Sequence, residues 1–191
     1  MSVDDFVKAE RQAASRQELV DGRLFTKPAA DRRHNLIASN VAIAVSSRGQ
    51  GGRAEIYVNG MMVELGPNMV CYPDVAIVSG EPTFADQRDD VLRNPTGIVE
   101  VFSGSSNHQT KTRKLESYLA IPSVKECLLI KADEMRVEHY SRQNAKQWLY
   151  RIYDEREDVI SLESAGVKLP MAAIYASLKM KTAQVRSSAV N

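Results

Sequence analysis

Asn94-Pro95-Thr96-Gly97-Ile98-Val99-Glu100-Val101-Phe102-Ser103 is the stretch on which the fold turns. Residues 97–102 form a short, almost wholly apolar run of strand character, interrupted by one charge, Glu100. Side chains two apart on a strand share a face, so Glu100 points with Ile98 and Phe102. An unpaired carboxylate in such surroundings costs several kcal/mol, so Glu100 needs a partner. A second run of the same kind, Val70 to Val78, begins around Tyr72-Pro73-Asp74 and sets Asp74 with Tyr72 and Ala76, opposite Pro73, Val75 and Ile77. If these two strands are neighbours, their carboxylates can share one partner, a divalent metal. Oxygen ligands suit Mg²⁺ or Mn²⁺, hard cations that keep several waters and use one or two protein carboxylates.

Downstream of Glu100, Ser103-Gly104-Ser105-Ser106 breaks the strand, Ser106 or Asn107 caps a helix reaching about Leu119, and Pro122 stops it. Val124 to Ile130 and Met135 to Tyr140 read as a hairpin around Ala132-Asp133-Glu134. Trp148 to Tyr153 and Val159 to Leu162 read as edge strands, and Leu169 to Leu178 as a closing helix with Pro170 in its first turn. Upstream, Ala54 to Val58 and Met61 to Leu65 flank Asn59-Gly60, a hairpin turn or a bulge in one long strand. His34 to Ser46 is apolar enough to lie on a sheet and is ended by the cluster Arg48-Gly49-Gln50-Gly51-Gly52. Gln17 to Lys27 is a hairpin around Asp21-Gly22, and Val3 to Ala14 has weak helical periodicity. Mixed strands with a few helices on their faces make an α/β fold.

With 191 residues the chain is long enough for one domain with a proper core and too short for two comfortable ones. A net charge of +1 lacks the excess of Lys and Arg usual in nucleic-acid binders, so any such contact must come from a local patch. Cys71 and Cys127 stand among apolar residues outside any CxxC pattern and read as buried free thiols. Three dispersed histidines argue against a zinc site, and His108 and His139 read as solvent-facing or satisfied side chains. No G-x-S-x-G elbow surrounds Ser103 or Ser106, which argues against a serine hydrolase. No run reaches the roughly 18 apolar residues of a membrane span. The N-terminus lacks the basic and apolar regions of a signal peptide, so the expected location is cytoplasmic.

Tyr72-Pro73-Asp74-Val75, the stretch from Asn94 to Ser103, and then Lys114 and Tyr118 resemble the PD…ExxS…K…Y pattern of the Uma-type restriction endonuclease family, within the PD-(D/E)XK nuclease superfamily. The resemblance extends to Glu18-Leu19-Val20-Asp21-Gly22, to Arg33-His34-Asn35, and to Leu169-Pro170 with Ile174-Tyr175, and so covers roughly residues 5–178. It implies a restriction-endonuclease-like fold, a mixed central sheet flanked by helices, as a single domain over residues 1–180 with residues 181–191 as a flexible tail. It also implies a metal-dependent endonuclease in which Asp74 and Glu100 hold Mg²⁺ (or Mn²⁺), with DNA as the expected substrate. Superfamily members normally carry a lysine two residues after the glutamate. Here Phe102 stands there, and Lys114, on the following helix and one turn before Tyr118, takes the role. Thr110 is a second departure, since family members usually have an acidic residue at that place. His34 matches a family position and is expected to contact substrate or assist a water.

Each residue also has a plainer reading. Asp74 caps the start of a strand, Glu100 pairs with a structural Arg or Lys, Lys114 is a surface charge, and Glu18 is either a third acid near the metal or a polar hairpin residue. Lys111, Arg113 and Arg33 are the local basic groups expected to meet nucleic-acid phosphates. A homodimer suits a duplex cutter, since cutting both strands favours two-fold symmetry. The rival to an enzyme is a binding module that kept the fold and lost the chemistry, supported by Thr110 and the near-neutral charge. A third class is a structural partner in a toxin-like or mobile-element system.

Overall fold

The structure is a computed structural model, and it describes residues 1–48, 54–103 and 108–180. The glycine-rich stretch expected after Arg48, the expected caps Ser106 and Asn107, and the expected tail at 181–191 lie outside the described residues.

Ser2 caps α1 (Val3–Glu10) by accepting a hydrogen bond from the Asp5 N–H, and Asp4 and Asp5 stand in its positive first turn. The helix stops short of Ala14 because the chain folds back there, letting the Glu10 carboxylate accept from Gln17 N at 3.0 Å. Asp21 (φ 51°) and Gly22 (φ 75°) then make the expected two-residue turn between β1 (Gln17–Val20) and β2 (Arg23–Thr26). Asp31 Oδ1 accepts from His34 N at 2.8 Å at the start of α2 (Arg32–Arg48). Five strands follow: β3 (Ala54–Val58), β4 (Met62–Gly66), β5 (Met69–Cys71), β6 (Val75–Ser79) and β7 (Val91–Leu92). Then come β8 (Gly97–Phe102), α3 (His108–Ala120), β9 (Glu126–Lys131), β10 (Val137–Asn144) and β11 (Gln147–Tyr153). The chain continues through β12 (Val159–Leu162) and β13 (Val167–Pro170) to a single turn, α4 (Met171–Ile174).

Among the described residues, six strands form a mixed sheet in the order β11-β10-β9-β8-β6-β3. Its central pair, β8 and β9, is parallel and is joined through α3, whereas the remaining pairs are antiparallel. One face carries Val75, Ile77, Val99 and Val101 against Ile37, Val41 and Val45 of α2. The other carries Ala76, Ile98 and Leu129 against Tyr118 and Leu115 of α3. Burial on both faces explains why these strands read as continuous apolar runs. Glu100 shares the α3 face with Ile98 and Phe102, as alternation requires.

A second sheet, β2-β1-β5-β4-β7, holds the hairpin that carries Glu18. Its position corrects three expectations. Val70 to Val78 is not one strand: β5 belongs to this sheet and β6 to the large one, and the chain crosses between them at Tyr72-Pro73-Asp74. Pro73 has no N–H to continue a ladder, so the strand ends there. Asn59-Gly60 is neither a hairpin turn nor a bulge but a second crossing, from β3 to β4, with Asn59 at φ 52° and its N–H bonded to Asp74 O at 2.9 Å. The closing helix is largely absent, because Leu169 and Pro170 pair with β12 and Pro170 keeps extended geometry (φ −69°, ψ 140°). β11 is an edge strand of the large sheet as expected, while β12 pairs with β13 alone.

Cys71 and Cys127 are buried free thiols, as expected. No helix among the described residues is long and apolar enough to cross a membrane.

Candidate active site

The crossing at Tyr72-Pro73-Asp74 delivers Asp74 to the floor of a cleft of about 560 Å³, with 1% of its surface exposed. Its carboxylate is held from three directions. Oδ2 accepts from Val101 N at 2.7 Å, which ties Asp74 to the strand of Glu100. Oδ1 accepts from Lys27 Nζ at 3.1 Å and lies 2.9 Å from His34 Nε2. The His34 contact is close in distance but off the line of a hydrogen bond, so Nε2 is buried without a directed partner. Burial pushes the Asp74 carboxyl up, yet His34, the Lys27 ammonium and the Val101 N–H outweigh it and hold the pKa at about 2.

Glu100 is served by α3. Lys114 Nζ lies 2.7 Å from Glu100 Oε1, and Tyr118, one turn further on, donates its hydroxyl to the same oxygen at 2.5 Å. Lys114 also donates to Glu18 Oε1 at 3.0 Å, so one ammonium bridges the large sheet and the hairpin of the small one. Glu18 Oε1 accepts from Tyr72 N at 3.0 Å as well, beside the crossing that positions Asp74. Burial raises the Glu100 carboxyl and the negative charge of Asp74 adds to that, with Lys114 opposing but not reversing it. Burial works against the Lys114 ammonium, but Glu100 and Glu18 hold its pKa well above the ordinary lysine value, so it stays charged. Burial and the Glu100 charge likewise push the Tyr118 phenol well up, which keeps it a donor.

The expected core of Asp74, Glu100, Lys114, Glu18 and His34 therefore converges on one cleft. The basic residues divide. Lys111 lines the cleft, its ammonium 3.5 Å above the Phe102 ring and 3.8 Å from Glu138 Oε2, and burial lowers its pKa. Arg113 makes an exposed pair with Asp21 at 2.6 Å, between α3 and the hairpin turn. Arg33 is turned to the C-terminal segment, where it donates to Ala132 O at 3.3 Å and Lys179 O at 3.4 Å. The side chain of Thr110 lies outside the described residues.

Lys27 was not among the expected site residues. It stands just past β2 and donates to both Asp74 and the Tyr72 carbonyl. The sequence did hold a signal for it, since two carboxylates in apolar strands need two cations and Lys114 supplies one. Asp74 and Glu100, expected to share one metal, are each met by a lysine, and the pairing of Glu100 with Lys114 is its plainer expected reading.

Among the described residues no three of His, Cys, Asp and Glu gather closely enough to enclose a metal. A hydrated hard cation does not need three, since one or two carboxylates serve it. Glu100 Oε2 has no hydrogen bond among the described residues, and His34 Nε2 lacks a directed one. With Asp74 tied to Val101, the residue next to Glu100, these are the donors that would hold a hydrated Mg²⁺ or Mn²⁺. Lys27 would stand beside it on the Asp74 carboxylate.

Comparison with known proteins gives three findings. The family Uma2, described as "Putative restriction endonuclease", matches residues 3–172. Two Synechocystis sp. (strain PCC 6803) proteins, both named as uncharacterized, are similar: sll1609 at 30% identity over 78% of this chain and 85% of its own, and slr1290 at 22% over 93% of each. A crystal structure from Anabaena variabilis, described as "a putative nuclease belonging to DUF820", superposes with a TM-score of 0.73 at 18% identity, covering 91% of this chain and 97% of the other. That likeness establishes the shared fold.

Proposed function

The chain belongs to the Uma2 family, and from that membership we propose that it is a metal-dependent endonuclease hydrolysing phosphodiester bonds in nucleic acid, with DNA as its substrate. The observation that carries the proposal is the convergence of Asp74, Glu100 and Lys114, from a crossing between sheets, a strand and a helix, on one cleft.

In this reading Asp74 and Glu100 hold Mg²⁺ or Mn²⁺, with His34 beside Asp74 as a further donor to the ion or to one of its waters. The bound cation supplies Lewis acidity, polarising the phosphate and lowering the pKa of a water. The remaining work falls to the chain itself. Lys114 is held as a cation by Glu100 and Glu18, and its ammonium stabilises negative charge on the phosphate or orients the attacking water. Tyr118 fixes the rotamer of Glu100, and the Val101 N–H fixes that of Asp74. Glu18 sets the position of Lys114 from the hairpin. Incubating single-stranded, supercoiled and linear duplex DNA with the protein and Mg²⁺ or Mn²⁺ tests the proposal. Metal-dependent cleavage by the wild type, lost in Glu100→Gln, is the expected result, and no cleavage under any divalent cation rejects it.

A second reading, a nucleic-acid- or protein-binding module with the nuclease fold, has one specific observation in its favour. The Lys27 ammonium sits on Asp74 Oδ1 and so already neutralises a carboxylate that would hold the metal. DNA binding without cleavage would select this reading.

A further inference from the structure

We infer that the cleft receives a single, unpaired nucleic-acid strand, and that Phe25 is the side chain on which one of its bases stacks. The inference rests on the nuclease reading and narrows its substrate. Phe25 is the cross-strand partner of Glu18 in the β1–β2 hairpin. Directly opposed residues share a face of a hairpin. Since Glu18 faces Lys114, the Phe25 ring lies on the same side, and it lines the cleft with 37% of its surface exposed. The other phenyl and phenol rings lining the cleft are closed to a base. Tyr118 is fully buried, and the Lys111 ammonium covers Phe102.

The charges of the cleft favour such a platform. Lys27 is matched by Asp74, Lys111 by Glu138, and Lys114 by Glu18 and Glu100, on a chain whose net charge is +1. Phosphate neutralisation, the main source of duplex affinity, therefore has little unmatched charge to draw on. Stacking on an aromatic ring needs no net charge and tolerates any sequence, because every base has a π-face. In a duplex those faces are covered by neighbouring pairs, whereas an unpaired strand offers them. The floor carboxylates point the same way. Asp74 is 1% exposed inside a cleft of about 560 Å³, within the roughly 300–1,000 Å³ of small-molecule sites, which a bent single strand enters more easily than a stiff duplex.

The test is fluorescence anisotropy, in EDTA and again in Ca²⁺, with a labelled mixed-sequence single-stranded DNA and its duplex. Wild type is compared with Phe25→Ala, Phe25→Leu and Phe25→Trp, each first shown to melt like the wild type. Wild type is expected to prefer the single strand. Ala and Leu should each weaken that binding by about tenfold, Trp should retain it, and duplex affinity should not change. A 2-aminopurine in the strand should be quenched by wild type and by Phe25→Trp, but not by Phe25→Ala. Wild-type affinity for the single strand in Ala and Leu, or equal losses on strand and duplex, overturns this inference and leaves the nuclease reading standing. Wild type binding neither form in either buffer overturns both.

Discussion

Lys114 Nζ stands 2.7 Å from Glu100 Oε1, on the oxygen that also receives the Tyr118 hydroxyl. The lysine arrives from α3, not from the strand position two residues beyond the glutamate, where Phe102 lies beneath Lys111. A lysine on a helix thus reaches the glutamate of the neighbouring strand.

Lys114→Met should abolish metal-dependent cleavage without weakening Mn²⁺ binding, because lysine is no metal ligand and its ammonium, like that of Lys27, opposes the metal at a carboxylate. It should also destabilise the protein by about 3 kcal/mol, since Glu18 and Glu100 lose a shared buried cation. Denaturant melts and cleavage assays on the same preparation check both. Undiminished cleavage removes Lys114 from the site.

Asp74 predicts an acid-limb signature. Its folded pKa of about 2 lies below the roughly 3.9 of an unfolded aspartate. A depressed carboxylate stabilises the fold above the unfolded value, and that stability is lost as pH falls from about 4 to about 2. The loss should amount to roughly 2–3 kcal/mol. Asp74→Asn should be less stable than wild type at pH 7 and should lack this part of the acid limb. Parallel curves for the two proteins in denaturation at stepped pH would refute the assignment.

Lys27→Met should tighten Mn²⁺ binding severalfold by calorimetry, because the ammonium would oppose a second positive charge at the Asp74 carboxylate. Weaker binding would instead make Lys27 a support for the metal site.

Lys111→Ala should lower the slope of log affinity for nucleic acid against log salt by about one unit. Its ammonium lines the cleft, so it is placed to meet a phosphate. Titrations across a salt series decide, and an unchanged slope puts Lys111 away from the backbone of the substrate.

Glu126 provides a control remote from the cleft. Buried beside His139 (3.3 Å), it accepts from the backbone N–H groups of Glu163 and Ser164 at 3.1 and 3.0 Å. Glu126→Ala strands these donors and should cost about 3 kcal/mol in urea melts without changing cleavage by the folded protein. A change in cleavage would link this cluster to the active site.

The sequence alone determined whatever depends on neighbours along the chain. The alternation around Glu100 set its face, Asp21-Gly22 fixed the hairpin that carries Glu18, and one helical turn joined Lys114 to Tyr118. These follow from periods of 2.0 and 3.6 residues and from turn chemistry, all of them local. Tertiary structure alone decided where the chain changes sheets. The alternation through Val70 to Val78 is the same for one strand or two; Pro73 marks where a ladder can stop, but only packing against separate partners sends β5 and β6 into different sheets. The same crossing brings Asp74 to Lys27, 47 residues away in sequence, while contacts with residues 132 and 179 turn Arg33 away from the cleft. A residue's identity gives its charge, but which opposite charge it meets depends on how two sheets pack, and no local period records that.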